Sequence, residues 1–293
     1  MPIFIEEELK SLLPDPKIDR RHFIRASVGI GFAAAVAPIA AQTQIKTDTE
    51  GLIAGAVQIA TGKDSIPGYR AKPAQVNKPA VVLVVSEIFG VHEHIADLCR
   101  RLAKAGYYAI APELFVRQGD VAHQASIKEV IDVVAQASDA QVLGDLDACV
   151  AHAAADGGDT GRLAITGFCW GGRIVWMYAA HSKALKAGAA WYGRLTSGFN
   201  PALQPTNPID VAANLQAPVL GFYGGQDDGI PQDSIERMRA ALAQGGGPSR
   251  ASRIIVYPDA PHAFNADYRP SYRPEAAHDA WRRMLAWFAE QGV

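Results

Sequence analysis

Leu163-Ala164-Ile165-Thr166-Gly167-Phe168-Cys169-Trp170-Gly171-Gly172 is the stretch on which the reading of this chain turns. A short apolar strand, Leu163 to Thr166, runs into Gly-Phe-Cys-Trp-Gly-Gly, and a helical pattern from Gly171 to Ala180 follows at once. A strand that turns sharply into a helix brings its backbone against neighbouring elements, so the positions two before and two after the turn residue must be small. Gly167 and Gly171 hold those positions around Cys169. A thiol at such an elbow sits at a helix N-terminus, where the dipole favours a thiolate and backbone N–H groups can meet a developing oxyanion. A buried structural cysteine beside a glycine turn is the bland alternative, since cysteine is among the most buried residue types. The strand-turn-helix context favours the nucleophile.

Outward from the elbow, short β-rich runs alternate with amphipathic ones. Ala80 to Val85, Tyr107 to Ala111, Ala187 to Trp191, Val219 to Tyr223 and Arg253 to Tyr257 are continuous apolar runs of strand length, as buried parallel strands should be. His94 to Ala105, Val142 to Ala155, Asp233 to Ala243 and Glu275 to Glu290 carry apolar residues at helical spacing. The alternation predicts an α/β fold: a doubly wound, mostly parallel sheet with helices on both faces, in a single domain from 80 to 293. The turn-rich segment 42–79 reads as an extension with one antiparallel edge strand, Ala54 to Ala60, and the Pro-containing loop Thr196 to Asn214 as a possible wall of a site. Trp281, Trp287 and Phe288 read as a helix packed on the sheet. Trp191 and Tyr192, at a strand end near the elbow, fit either a pocket wall or core packing.

A nucleophile elbow calls for an acid after a later strand and a histidine after the last one. Gly224-Gly225-Gln226-Asp227-Asp228 follows the strand Val219 to Tyr223, and Pro261-His262-Ala263-Phe264 follows Arg253 to Tyr257. Each candidate lies just past a strand's C-terminal end, the edge where ligands bind in open parallel sheets. Either Asp227 or Asp228 could orient His262. Glu87, just beyond the strand Ala80 to Val85, reads as a catalytic carboxylate or a loop cap.

The chain has 293 residues, and 28 Lys+Arg against 30 Asp+Glu give a net charge of −2, which leaves no basic field for nucleic acid. Three cysteines cannot close a disulfide framework without leaving one thiol over. Cys99 and Cys149 fall on apolar helix faces and read as core thiols. His92 and His94, two residues apart at a helix start, do not present both rings to one ion as an i, i+4 pair would, so no metal or other cofactor is expected. Residues 1–41 stand apart: Arg20-Arg21-His22-Phe23 precedes the uncharged stretch Ala26 to Ala41. This resembles a twin-arginine signal peptide, and the expectation is export to the periplasm by that machinery.

The elbow GFCWGG, the SEIFGVHEHI stretch from Ser86, APELF-x-R from Ala111, GGQD from Gly224 and PHAFN from Pro261 together resemble the dienelactone hydrolase family, cysteine-dependent members of the α/β-hydrolase fold. The similarity runs from about Ala80 to the C-terminus. It implies a carboxymethylenebutenolidase-like hydrolase of esters or lactones, working through an acyl-thioester on Cys169 with His262 and Asp227 as its partners. It also implies that Glu87 holds the resting thiol and takes part in its activation. The backbone N–H groups of Ile88 and Trp170 would form the oxyanion hole, and Arg117 would bind a substrate carboxylate.

The chain departs from that pattern in two places. The family's second carboxylate-binding arginine, four residues past the histidine, is Ala266 here, with Arg269 and Arg273 nearby but out of register; the residue before the glutamate is Ser86 rather than Gln. These changes bear on the substrate and leave the hydrolytic chemistry intact, because the triad is separate from the substrate clamp. From other classes, a catalytically silent ligand-binding shell on the same fold would keep the pocket without turnover. A thiol redox sensor would need a resolving cysteine near Cys169, which the sequence does not place there.

Overall fold

The structure, a computed structural model, describes residues 45–62 and 64–293. The export signal expected within 1–41 lies outside the described residues. Strand β3 (Ala80–Val85) carries six apolar residues, and every one is buried. Each of its Val and Leu side chains withdrawn from water contributes about 1.5–3 kcal/mol, so this run can sit only at the centre of a sheet covered on both sides.

Around it lie β4 (Tyr108–Pro112), β5 (Asp159–Phe168), β6 (Leu185–Trp191), β7 (Val219–Gly224) and β8 (Arg253–Tyr257), all parallel. Together with β1 (Leu52–Thr61) and β2 (Asp64–Pro73) they form one eight-stranded sheet in the order β1-β2-β4-β3-β5-β6-β7-β8. The α/β expectation holds. From β3 the chain steps outward to β4, then returns to the other side of β3 with β5. The two loops leaving β3 and β5 therefore diverge, and the crevice between them, beyond the C-terminal strand ends, is where ligands bind in such sheets.

The helices between strands are α1 (Glu93–Lys104), α2 (Ile127–Val134), α3 (Asp139–Ala155), α4 (Trp170–His181), α5 (Pro208–Val211), α6 (Gln232–Ala243), α7 (Gly247–Ala251) and α8 (Pro274–Glu290). Helix α3 begins at Asp139 rather than Val142 because the Ser138 hydroxyl caps it, accepting from Gln141 N at 3.2 Å. Helix α2 was not expected; Ser126 caps it in the same way, and Glu129 returns the favour to the Ala125 N–H at 2.9 Å.

The segment 42–79 is more than an extension with one edge strand. Among its described residues, β1 and β2 form a hairpin, and β2 joins the sheet antiparallel to β4. Pro67 and Gly68 hide β2 in the sequence, since both residues normally argue against a strand. Here the Pro67 carbonyl accepts from Glu113 N at 2.9 Å, and a Cβ on Gly68 would come within 2.8 Å of the Ala111 carbonyl oxygen. Cys99 and Cys149 are fully buried free thiols, as expected. Among the described residues no helix is long and apolar enough to cross a membrane.

Candidate active site

Cys169 stands between β5 and α4 with φ 54° and ψ −116°, a left-handed backbone that a residue with a Cβ adopts only under constraint. The constraint is visible. Cys169 N donates to Trp191 O at 3.0 Å, and the Cys169 carbonyl accepts from Gly172 N at 2.9 Å. The glycines around it are compulsory: a Cβ on Gly167 would lie 2.3 Å from Gly171 O, one on Gly171 2.3 Å from Val85 O, and one on Gly172 2.4 Å from Trp191 O. The elbow is thus clamped between β3 and the end of β6. Its thiol is held at the mouth of the β3–β5 crevice, with the residue 5 % exposed. Trp170, the next residue, opens α4, and its N–H is among those that an α-helix cannot satisfy internally.

Asp227, three residues past β7, and His262, on the loop past β8, meet here. His262 Nδ1 and Asp227 Oδ2 are 2.7 Å apart with both side chains shut off from solvent. Gly229 N donates to the other Asp227 oxygen at 3.0 Å, which fixes the carboxylate. The side chains of Cys169 and His262 interact, so the imidazole bridges the thiol and Asp227. Burial by itself would keep this imidazole neutral; the charge of Asp227, followed by that of the Cys169 sulfur, outweighs it and holds His262 well above the usual histidine range. The three residues expected from chain order are brought into one line.

Glu87 is 2 % exposed and lies at the crevice wall beside Ile88, also buried. Burial would favour its protonated form, but the Arg269 guanidinium, His92 and His94 prevail and hold it well below the usual carboxylate range. Tyr268 OH donates to Glu87 Oε2 at 2.8 Å and accepts from Arg269 Nε at 3.1 Å; Arg269 Nη2 and His92 Nε2 stand 3.7 and 3.6 Å from the same oxygen. His94 turns instead to Asp267, 3.3 Å away. The two histidines therefore serve different carboxylates.

The structure redistributes the arginines. Arg117, expected at a substrate carboxylate, makes a two-pronged ion pair with Asp145 on α3 (2.8 and 3.1 Å) and donates to Thr61 at 2.6 Å. A guanidinium so engaged has its paired faces filled, and no contact among the described residues brings it to the triad. Arg269, out of register with the family's second arginine, is the cation that comes to Glu87. It is buried, in electrostatic range of Cys169, and its Nη2 has no hydrogen-bond partner. The reason is local. Ala266 N donates to Ala263 O, Arg269 N to Ala266 O and Tyr272 N to Arg269 O, each near 3.0 Å, so the loop winds in successive three-residue turns. These turns fold the loop back on itself, and the Arg269 side chain comes to lie beside Glu87 and over the Tyr268 ring. Sequence reasoning named Arg269 only as a neighbour out of register and did not single out Tyr268, although both stand against Glu87.

The sequence matches the dienelactone hydrolase family over residues 66–292. The chain belongs to that family. It is 56 % identical over 290 residues, 98 % of both chains, to a protein of Methylorubrum extorquens named "Putative carboxymethylenebutenolidase", and 53 % identical to the Escherichia coli K12 protein of that name, over 89 % of this chain and 96 % of the other. The crystal structure of a dienelactone hydrolase-type protein from Klebsiella pneumoniae superimposes with a TM-score of 0.78 at 53 % identity, covering 82 % of this chain and 99 % of that one. A dienelactone hydrolase-like promiscuous phosphotriesterase from metagenomic libraries shares the fold at 20 % identity and a TM-score of 0.67, covering 82 % of this chain and 99 % of that one. This dienelactone hydrolase family member is an ester- or lactone-hydrolysing enzyme of carboxymethylenebutenolidase-like type.

Proposed function

We propose that the enzyme cleaves small carboxylate-bearing esters or lactones through an acyl-thioester on Cys169. The observation that carries this reading is the buried line Cys169–His262–Asp227 at a strained elbow. His262 accepts the thiol proton, and Sγ attacks the carbonyl carbon. The oxyanion that forms is met by the backbone N–H groups of Ile88 and Trp170. When the tetrahedral adduct collapses, the alkoxide leaves and takes the proton from His262. Water, deprotonated by His262, then attacks the thioester and releases the acid and the thiolate, which returns the site to its start. Asp227 keeps the imidazole oriented and stabilises its charged form throughout. Intact-mass measurement after incubation with activated esters and lactones is expected to show an acyl adduct on the peptide containing Cys169. The same adduct in Cys169→Ala would overturn the reading.

Substrate charge is assigned to Arg269. A carboxylate reaching its Nη2, which is ion-paired with Glu87 but makes no hydrogen bond, would compete with Glu87 for one guanidinium, and the charge-assisted contact contributes roughly 1.5–3 kcal/mol. Shared with Glu87, the net preference for a carboxylate-bearing substrate over its methyl ester is expected to be about tenfold in kcat/KM, equivalent to about 1.4 kcal/mol. Arg269→Gln should erase this preference and Arg117→Ala should keep it, because the Arg117 charge is already spent on Asp145. Loss of the preference in Arg117→Ala alone would return the clamp to that residue.

We propose further that the enzyme works in the periplasm, on the strength of Arg20-Arg21 and the uncharged stretch behind them. Replacing both arginines with lysine is expected to leave the precursor in the cytoplasmic fraction; unchanged export would exclude the twin-arginine route.

A further inference from the structure

Tyr192, directly past β6, combines two features that a packed aromatic residue does not need. Its backbone lies at φ 39°, a left-handed conformation that is a genuine outlier for a bulky residue. Its hydroxyl is buried and has no hydrogen-bond partner, although the residue is only 1 % exposed. An unpaired buried hydroxyl is destabilising, and so is a strained backbone, so the fold gives up stability twice at one residue.

The surroundings show what holds the strain and where the hydroxyl lies. Tyr192 N donates to Phe222 O at 2.8 Å, and the next residue, Gly193, is pressed so close to the nucleophile helix that a Cβ there would lie 2.2 Å from the Gly172 carbonyl carbon. The Tyr192 ring is wedged edge-on against His262 (5.1 Å between centroids) and Phe264 (5.4 Å). The residue stands in electrostatic range of Glu87, Cys169, Tyr268 and Arg269, the groups that line the crevice. Burial first, then the charges of Glu87 and Cys169, keep the phenol protonated, so it can act as a donor.

We propose that Tyr192 is a catalytic residue whose hydroxyl donates a hydrogen bond to a substrate oxygen beside Cys169, other than the carbonyl oxygen held by the backbone N–H groups. This rests on the hydrolase reading above. The strained turn at β6 aims the donor, and the missing partner is the substrate itself. Two oxygens offer the same acceptor chemistry: the ester oxygen of the leaving group and an oxygen of the substrate carboxylate.

Tyr192→Phe removes only the oxygen. With a matched acid and methyl-ester substrate pair, kcat/KM is expected to fall at least about tenfold, the worth of one well-placed hydrogen bond. The thermal midpoint should stay level or rise, because an unsatisfied polar atom has been removed. An equal loss on both substrates, seen in kcat, assigns the hydroxyl to the ester oxygen; a loss confined to the acid and seen in KM assigns it to the carboxylate. A change below about threefold on both substrates overturns the proposal, and so does a lowered thermal midpoint, which would give the hydroxyl to the fold. If the wild type turns over neither substrate, or Cys169→Ala retains turnover, the hydrolase reading fails instead.

Discussion

With Cys169 as the proposed nucleophile, Cys169→Ala is expected to lower kcat/KM on p-nitrophenyl acetate by roughly 10⁴- to 10⁶-fold, the cost of deleting a nucleophile whose partners act with it as a unit. The fold should survive. Alanine keeps the Cβ, so the strain at φ 54° is unchanged, and it adds no bulk to an elbow clamped by Val85 O, Trp191 O and three glycines. Cys169→Ser should retain only a trace of activity, because an alcohol is a far weaker acid than a thiol and His262 sits in a site matched to thiolate chemistry. Thermal melts close to wild type alongside lost turnover would place the effect on chemistry. Turnover within tenfold of wild type in the alanine variant would remove Cys169 from its role.

Asp227→Asn should cost about 10³- to 10⁴-fold in kcat at neutral pH, for two separable reasons. The carboxamide can donate to His262 Nδ1 and so turn the imidazole to the wrong tautomer. It also removes the charge that, against the pull of burial, raises His262 above the ordinary histidine range. The sign of the pH effect follows. With that charge gone His262 holds its proton less well, so the thiolate–imidazolium pair is less populated and thiolate forms only nearer the free-thiol value of about 8.5. The deficit should therefore be largest near neutrality and shrink as pH rises. Stability moves in the same sense: a histidine whose folded pKa is raised stabilises the protein fully below about pH 6.5 and ceases to do so as pH rises through the elevated value. Denaturant unfolding should show the variant weakest, relative to wild type, at about pH 5–6.5 and closest to it in alkali. A deficit independent of pH would mean that Asp227 acts through geometry alone.

Much of this site could be read from residue order. Gly167 and Gly171 announced the elbow because only glycine tolerates carbonyl oxygens at 2.3 Å from its would-be Cβ, a demand that leaves a mark in sequence. Asp227 and His262 were legible for a related reason: each comes just past a strand end in a parallel sheet, so chain order and spatial order coincide. The hairpin partner β2 was not legible, since Pro67 and Gly68 imitate a loop. The neighbours of the arginines were not legible: Arg117 pairs with Asp145, 28 residues further along the chain, and Arg269 reaches Glu87 from the opposite end of the sequence.

Residue order alone determined the α/β fold class, the glycine-clamped elbow at Cys169 and the chain order of Cys169, Asp227 and His262 past successive strand ends, because each is imposed by backbone geometry within a few residues, and only certain residue types satisfy it. Tertiary structure decided that Arg269 comes to Glu87, that Arg117 pairs with Asp145, and that Tyr192 carries an unpaired hydroxyl beside His262. Long side chains choose partners by competition among charges that the fold assembles from distant segments. That competition is settled by distances and desolvation, neither of which exists until the sheet has closed over its helices.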